Sequence, residues 1–287
     1  MDAFNTIKNL NDNEIDNYIK QRLSKLSKLE VKEIGYNTGT TIYSGILDKN
    51  VKINTYYELL ENNDYVSIIF GNVVLDDSNM YKYLIKEVKK CDNPLEAVIN
   101  ASNNYLFLNS KEREIMNVDQ IREKFYDIFS ASKNKSLSVN VFHKHKMAMC
   151  TEIAGVVHNL FLFLGIKSDY VIGNLNGEDH AFNIVHYFGK GNDSILLDNC
   201  KEVNSKAGII ILDPEMLEQL YSFKKVSFTD RDIKNTYKKL FCLDVTSAPQ
   251  KMEYSIMEDA YFEITGYEEI KSNNNKKLLF RRIEKED

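Results

Sequence analysis

Cys150, His180 and Asp198 have the residue types and the order that nucleophilic catalysis by a thiol requires. A thiol attacks a carbonyl as its thiolate, so it needs a base. An imidazole can take that proton and later hand it to the leaving group. A carboxylate behind the imidazole fixes its tautomer and supports the imidazolium. Cys150 stands at the head of a mostly apolar stretch that includes Ile153, Val156, Val157, Leu160, Phe161 and Leu164, and Gly165 closes it as a helix C-cap would. A helix of that character is buried. A cysteine in its first turn meets unpaired backbone amides and the positive end of the dipole, which favour thiolate and can also hold an oxyanion. Taken singly, each of the three has a structural explanation: an inert buried thiol, a hydrogen-bonded strand histidine, an aspartate ending a strand. Their joint order is the signal.

After Gly165 the pattern switches to period two. Residues 168–172 read as a strand closing at Gly173, and residues 174–179 as a polar turn. A second strand, 180–185, starts on His180. A turn over 189–193 leads to a third strand, 194–198, ending on Asp198. Two strands so joined can set residues 18 apart side by side, so His180 can touch Asp198 while facing the helix that presents Cys150. Cys200, two residues further on, reads as structural, with oxidative pairing to Cys150 as the alternative. Glu152 reads as a partner of the helix dipole.

These residues carry a resemblance to a known family. The order Cys150, apolar helix, Gly165-Ile166, Tyr170-Val171, Gly173, His180-Ala181-Phe182-Asn183, Val185 and Leu197-Asp198 resembles the core of transglutaminase-like proteins over residues 147–200. The resemblance implies an α+β fold with a papain-like core, a cysteine nucleophile and acyl transfer through a thioester. The family holds protein cross-linkers, deamidases, proteases, peptide N-glycanases, bacterial effectors and members without activity. Phe182 stands where the family commonly has Trp, and Ala148 where it often has Gly; both positions shape the pocket near the thiol. A further oxyanion donor usually comes from a side chain upstream of the cysteine, and Asn140 and His143 are the candidates here. The expected function is acyl transfer on an amide of a protein or peptide, ending in deamidation, transamidation or hydrolysis. A non-catalytic binding module on the same scaffold and a cysteine protease are the alternatives.

A metal site is the competing chemistry. His143, His145, Cys150, His180 and His186 are all ligand types, but His143 and His145 read as part of a basic loop, and no second closely spaced ligand pair accompanies them. The expectation is therefore no metal and no cofactor. His158, about 80° around the helix from Cys150, reads as a partly exposed helix residue.

The rest of the chain bounds these readings. A hydrophobic fraction of 43% and a charged fraction of 28% are those of a folded protein, and a net charge of −5 argues against a nucleic-acid footprint. Four scattered cysteines make no disulfide framework or zinc ribbon. The first residues do not form a secretory signal, and no apolar run reaches the roughly 18 residues of a membrane span. A cytoplasmic protein is the default expectation, with signal-independent secretion as an effector as the alternative. Ile15, Tyr18, Ile19, Leu23 and Leu26 recur at helical spacing, residues 79–129 read as mainly helical, and residues 40–47 and 65–70 read as strands. Residues 208–212 read as a buried strand, Pro214 as the first residue of a helix, and residues 278–283 as a final edge strand. A polar loop over 130–138 suggests a division into a mostly helical N-terminal extension, 1–138, and a catalytic core with a C-terminal extension, 139–287.

Overall fold

The computed structural model describes residues 2–28, 32–34, 42–62, 65–107, 118–131, 136–188, 193–203, 206–246, 251–256, 261–270 and 275–283. Most of the expected 189–193 turn and part of the expected 130–138 loop lie outside them. The upstream elements are α1 (Asp2–Lys8), a 3-10 turn (Asp12–Glu14), α2 (Ile15–Leu26), β1 (Lys32–Ile34), β2 (Ile42–Ser44), β3 (Ile53–Asn62) and β4 (Tyr65–Val74). Next come α3 (Asn79–Val88), α4 (Pro94–Leu106), α5 (Val118–Ala131), β5 (Ser136–Ser138) and α6 (Val139–His145). The candidate segment supplies α7 (Cys150–Phe163), β6 (Ser168–Leu175), β7 (Glu178–Phe188), β8 (Asp193–Val203) and β9 (Lys206–Leu212). After it follow α8 (Pro214–Tyr221), β10 (Val226–Thr229), α9 (Asp230–Phe241), β11 (Lys251–Ile256), β12 (Tyr261–Ile270) and β13 (Asn275–Ile283).

The fold is α+β, as the sequence leads one to expect. One antiparallel sheet runs β1-β2-β6-β7-β8-β9, with β11 also on β6 and β10 on β11. A second runs β12-β13-β4-β3, with β5 parallel to β4. Strand β6 is the hub of the first sheet. One of its edges is filled by β7, and the other is shared: β2 pairs with residues 169–171 and β11 with residues 173–175.

Helix α7 is the centre of the core. It lies against β6, β7 and β8 on one side and α2, α3 and α4 on the other. Every residue from 152 to 163 except Leu162 is buried, which is why its sequence is apolar almost all round. Two polar side chains within it hold residues 45–47. Asn159 accepts from the Leu47 amide at 2.9 Å and donates to the Leu47 carbonyl at 2.7 Å. His158, expected to be partly exposed, is fully buried with Nε2 2.7 Å from the Gly45 carbonyl.

Other expectations are corrected in the same way. The β6–β7 turn is Asn176 and Gly177, not a six-residue loop. Both have positive φ, 54° and 88°, the pairing that two-residue hairpins favour, and β6 and β7 stay in register down to Leu175↔Glu178. His143 and His145 lie on helix α6 rather than in a loop. Strand β13 is not an edge, since β12 and β4 flank it. Residues 136–138 form a strand. Packing crosses residue 138 throughout: β2 joins β6, β13 joins β4, and α3 and α4 lie on α7.

Candidate active site

Cys150 is the first residue of α7, half-buried and in no disulfide. Glu152, with no exposed surface, accepts from the Met149 amide through Oε2 at 2.8 Å and so caps the same helix end. His180 lies two residues past the start of β7, and Asp198 is on β8 where that strand's pairing with β9 shifts register between Asp198 and Glu202. His180 Nε2 donates to Asp198 Oδ2 at 2.8 Å. The Cys150 sulfur lies near this ring and the Ala181 amide, and both act on its acidity. The three residues singled out by order and spacing thus form one connected chain.

The carboxylate at the end of that chain is fully buried, a placement that would cost several kcal/mol if its oxygens were unpaired. They are not. Oδ2 also accepts from Tyr254 Oη at 2.8 Å, and Oδ1 from the Cys200 amide at 3.0 Å. Tyr254 comes from β11, and Phe182 meets its ring edge-on with centroids 5.2 Å apart. Gly173 makes room for the backbone of β11 and for Phe182: a Cβ there would fall 2.1 Å from the Ser255 carbonyl oxygen and 2.9 Å from the Phe182 ring.

The electrostatics follow from these contacts. Burial alone would raise the Cys150 thiol, but the hydrogen bond and charge of His180, with the Ala181 amide, outweigh it and hold the thiol below its usual range. Burial alone would lower His180. The hydrogen bond and charge of Asp198, followed by those of Cys150, overcome it and raise the imidazole to about 10. Both shifts favour a thiolate beside an imidazolium.

The two upstream candidates have other contacts. His143 stacks on Tyr105 with centroids 4.3 Å apart, and its Nδ1 lies 2.6 Å from the Tyr105 carbonyl, a contact that ties α6 to α4. For Asn140 the engaged group is the backbone N–H, which donates to Ser138 Oγ at 3.2 Å where α6 begins. The histidines of the alternative metal reading do not converge, since His186 pairs with Asp169 at 2.7 Å. Among the described residues, the group whose donors do come together is His180, Asp198 and Cys200, one atom from each lying within 4.8 Å of the others. Tyr254 is the member of the site that sequence reasoning missed; the available signal is the alternation Met252, Tyr254, Ile256. Among the described residues, no helix is long and apolar enough to cross a membrane. No family model matches this chain, and neither does any curated protein or solved structure.

Proposed function

We propose that this chain is a cysteine-dependent acyl-transfer enzyme acting on an amide of a protein or peptide. One observation carries the reading: the imidazole beside a thiol in the first turn of a buried helix is itself held, at 2.8 Å, by a fully buried carboxylate. In the proposed mechanism the Cys150 thiolate attacks the amide carbonyl carbon, and the amides at the start of α7 hold the oxyanion. His180 gives its proton to the departing nitrogen as the C–N bond breaks, leaving a thioester on Cys150. Water or an amine, deprotonated by His180, then attacks the thioester and returns the thiol. Asp198 keeps the imidazole oriented and Tyr254 keeps Asp198 in place. We further propose that α7 against β6, β7 and β8 is a papain-like arrangement; thiol, imidazole and carboxylate in that order on helix, strand and strand support it.

The test is the rate of iodoacetamide alkylation at Cys150 against pH, in the parent and in His180→Ala. The expected result is a thiol more acidic than the roughly 8.5 of free cysteine, with that shift lost in the variant. A thiol of ordinary acidity in both proteins overturns the reading in favour of a non-catalytic scaffold. With the pair established, mass spectrometry of proteins incubated with the enzyme separates chain cleavage, deamidation and cross-linking.

A further inference from the structure

We propose that His180, Asp198 and Cys200 form a binding site for a thiophilic divalent cation such as Zn2+, and that its occupation switches the enzyme off. The inhibitory part rests on the proposed function; the binding part rests on geometry alone. One donor atom from each residue lies within 4.8 Å of the other two. In a tetrahedral site a sulfur at about 2.3 Å and an imidazole nitrogen at about 2.0 Å from zinc lie about 3.5 Å apart, so shifts of about 1 Å bring all three donors onto one ion. The donor set of thiolate, imidazole and carboxylate suits zinc and not calcium or magnesium, which take oxygen ligands. Asp198 is sealed inside, whereas His180 and Cys200 are partly exposed, so an ion has a way in and water can fill a fourth position. The carboxylate is prepared for the role, because Tyr254 and the Cys200 amide already orient its two oxygens.

Binding and the proposed catalysis exclude each other. A metal on Nε2 replaces the proton that His180 donates to Asp198, and a metal on Cys200 replaces its thiol proton. Two protons therefore leave for each ion bound. His180, pinned by the ion and carrying its remaining proton on the other nitrogen, can no longer cycle between base and acid for Cys150. Cys200 contributes to the proposed site only through its sulfur, since its tie to Asp198 runs through the backbone.

The experiment uses metal-free full-length protein and Zn2+ itself. A chromophoric chelator competes for the metal, and peptide mass spectrometry follows alkylation at Cys150 with and without Zn2+. The parent is expected to bind one ion, and Zn2+ to slow alkylation at Cys150 at least about tenfold. Cys200→Ala and His180→Ala should each weaken binding at least about tenfold, and Cys150→Ala should keep it. In Cys200→Ala, the ratio of alkylation rates with and without metal should fall to near one. Cys200→Ser serves if the alanine variant does not fold. No binding by the parent, or binding that survives Cys200→Ala but is lost in Cys150→Ala, overturns the proposal, the latter placing the ion on the nucleophile itself. Failure here leaves the proposed function standing if the metal-free thiol is acidic and needs His180. Conversely, an inert Cys150 with intact zinc binding removes the function and keeps the site.

Discussion

His180 and His186 stand six residues apart on β7, and each meets a buried aspartate, at 2.8 Å on Asp198 and at 2.7 Å on Asp169. Each aspartate also accepts a tyrosine hydroxyl, from Tyr254 in the first case and Tyr221 in the second. The surroundings then part. Ser44 Oγ closes the Asp169 group by donating to the other carboxylate oxygen, so that β2, β6, β7 and α8 are tied into one polar knot. At the other end of β7, the imidazole meets a thiol at a helix N-terminus. The same His–Asp unit is thus a clamp in one setting and, on the proposed function, a base in the other. What divides the roles is the third chemical group, because a serine hydroxyl held by a carboxylate has no route to a stable anion.

Exchanging the two histidines for alanine tests that division most severely. At pH 6 a thiol near 8.5 is ionised in about one molecule in 300, so His180→Ala, which removes the imidazole that makes Cys150 more acidic, should slow Cys150 alkylation at that pH by at least about tenfold. His186→Ala should leave the rate within about twofold, yet lower stability to urea by about 1–3 kcal/mol, because the buried Asp169 loses one of its three donors while Ser44 and Tyr221 remain. Equal losses of reactivity in the two variants would erase the distinction.

His158 supplies a control, more deeply buried than the other two but bonded through Nε2 to a carbonyl only. Burial prevails there and depresses it to about 4. A histidine lowered in the folded state favours folding fully above about pH 6.5 and progressively less as pH falls toward 4. The loss over that window should be about 3 kcal/mol, seen as a falling urea midpoint that His158→Gln flattens. The clamp and the proposed catalytic pair should also show opposite pH signatures. Burial would raise Asp169, but the hydrogen bonds of His186, Ser44 and Tyr221 bring it down to about 2. Its contribution, about 2 kcal/mol, is complete above about pH 4 and lost as pH falls through 2. His180, raised to about 10, contributes fully below about pH 6.5 and loses that contribution as pH rises through 10. Urea midpoints of Asp169→Asn and His180→Ala across pH should therefore converge with the parent at opposite ends. The smallest effect is expected from Tyr254→Phe, about 1–2 kcal/mol of stability, with a loss of Cys150 reactivity well below that of His180→Ala.

How much of this is legible in the sequence depends on how local the signal is. Helix α7 can be read because burial on all sides leaves a continuous apolar run, and the proposed triad because its members lie on elements near one another in sequence. Cys150 heads α7 and His180 is near the start of β7, while Asp198 lies midway along β8 rather than at the strand end the sequence suggests. The same burial misleads for His158: a polar residue set around the helix from Cys150 suggests an exposed face, and α7 has none. The hairpin turn reads too long because Asn174, Glu178 and Asp179 are polar, although they form the last rungs of the ladder in Asn174↔Asp179 and Leu175↔Glu178. Tyr254 is out of reach because alternation reveals that a strand exists, not which distant edge it joins. The Gly173 of the family-like pattern becomes intelligible only with β11 beside it, where the Ser255 carbonyl occupies the space of a side chain.

The shared edge of β6 sets a timetable. Its two partners come from far upstream and far downstream, Ile42 opposite Val171 and Tyr254 opposite Leu175, and such distant pairings form late because long loops must close first. A nascent chain carries Cys150, His180 and Asp198 56 residues before Tyr254 emerges. Until residues 251–256 join the sheet, Asp198 lacks one of its donors and the cover that β11 provides. On the proposed function, the nucleophile gains its full support only after synthesis has passed well beyond the groups that perform the chemistry.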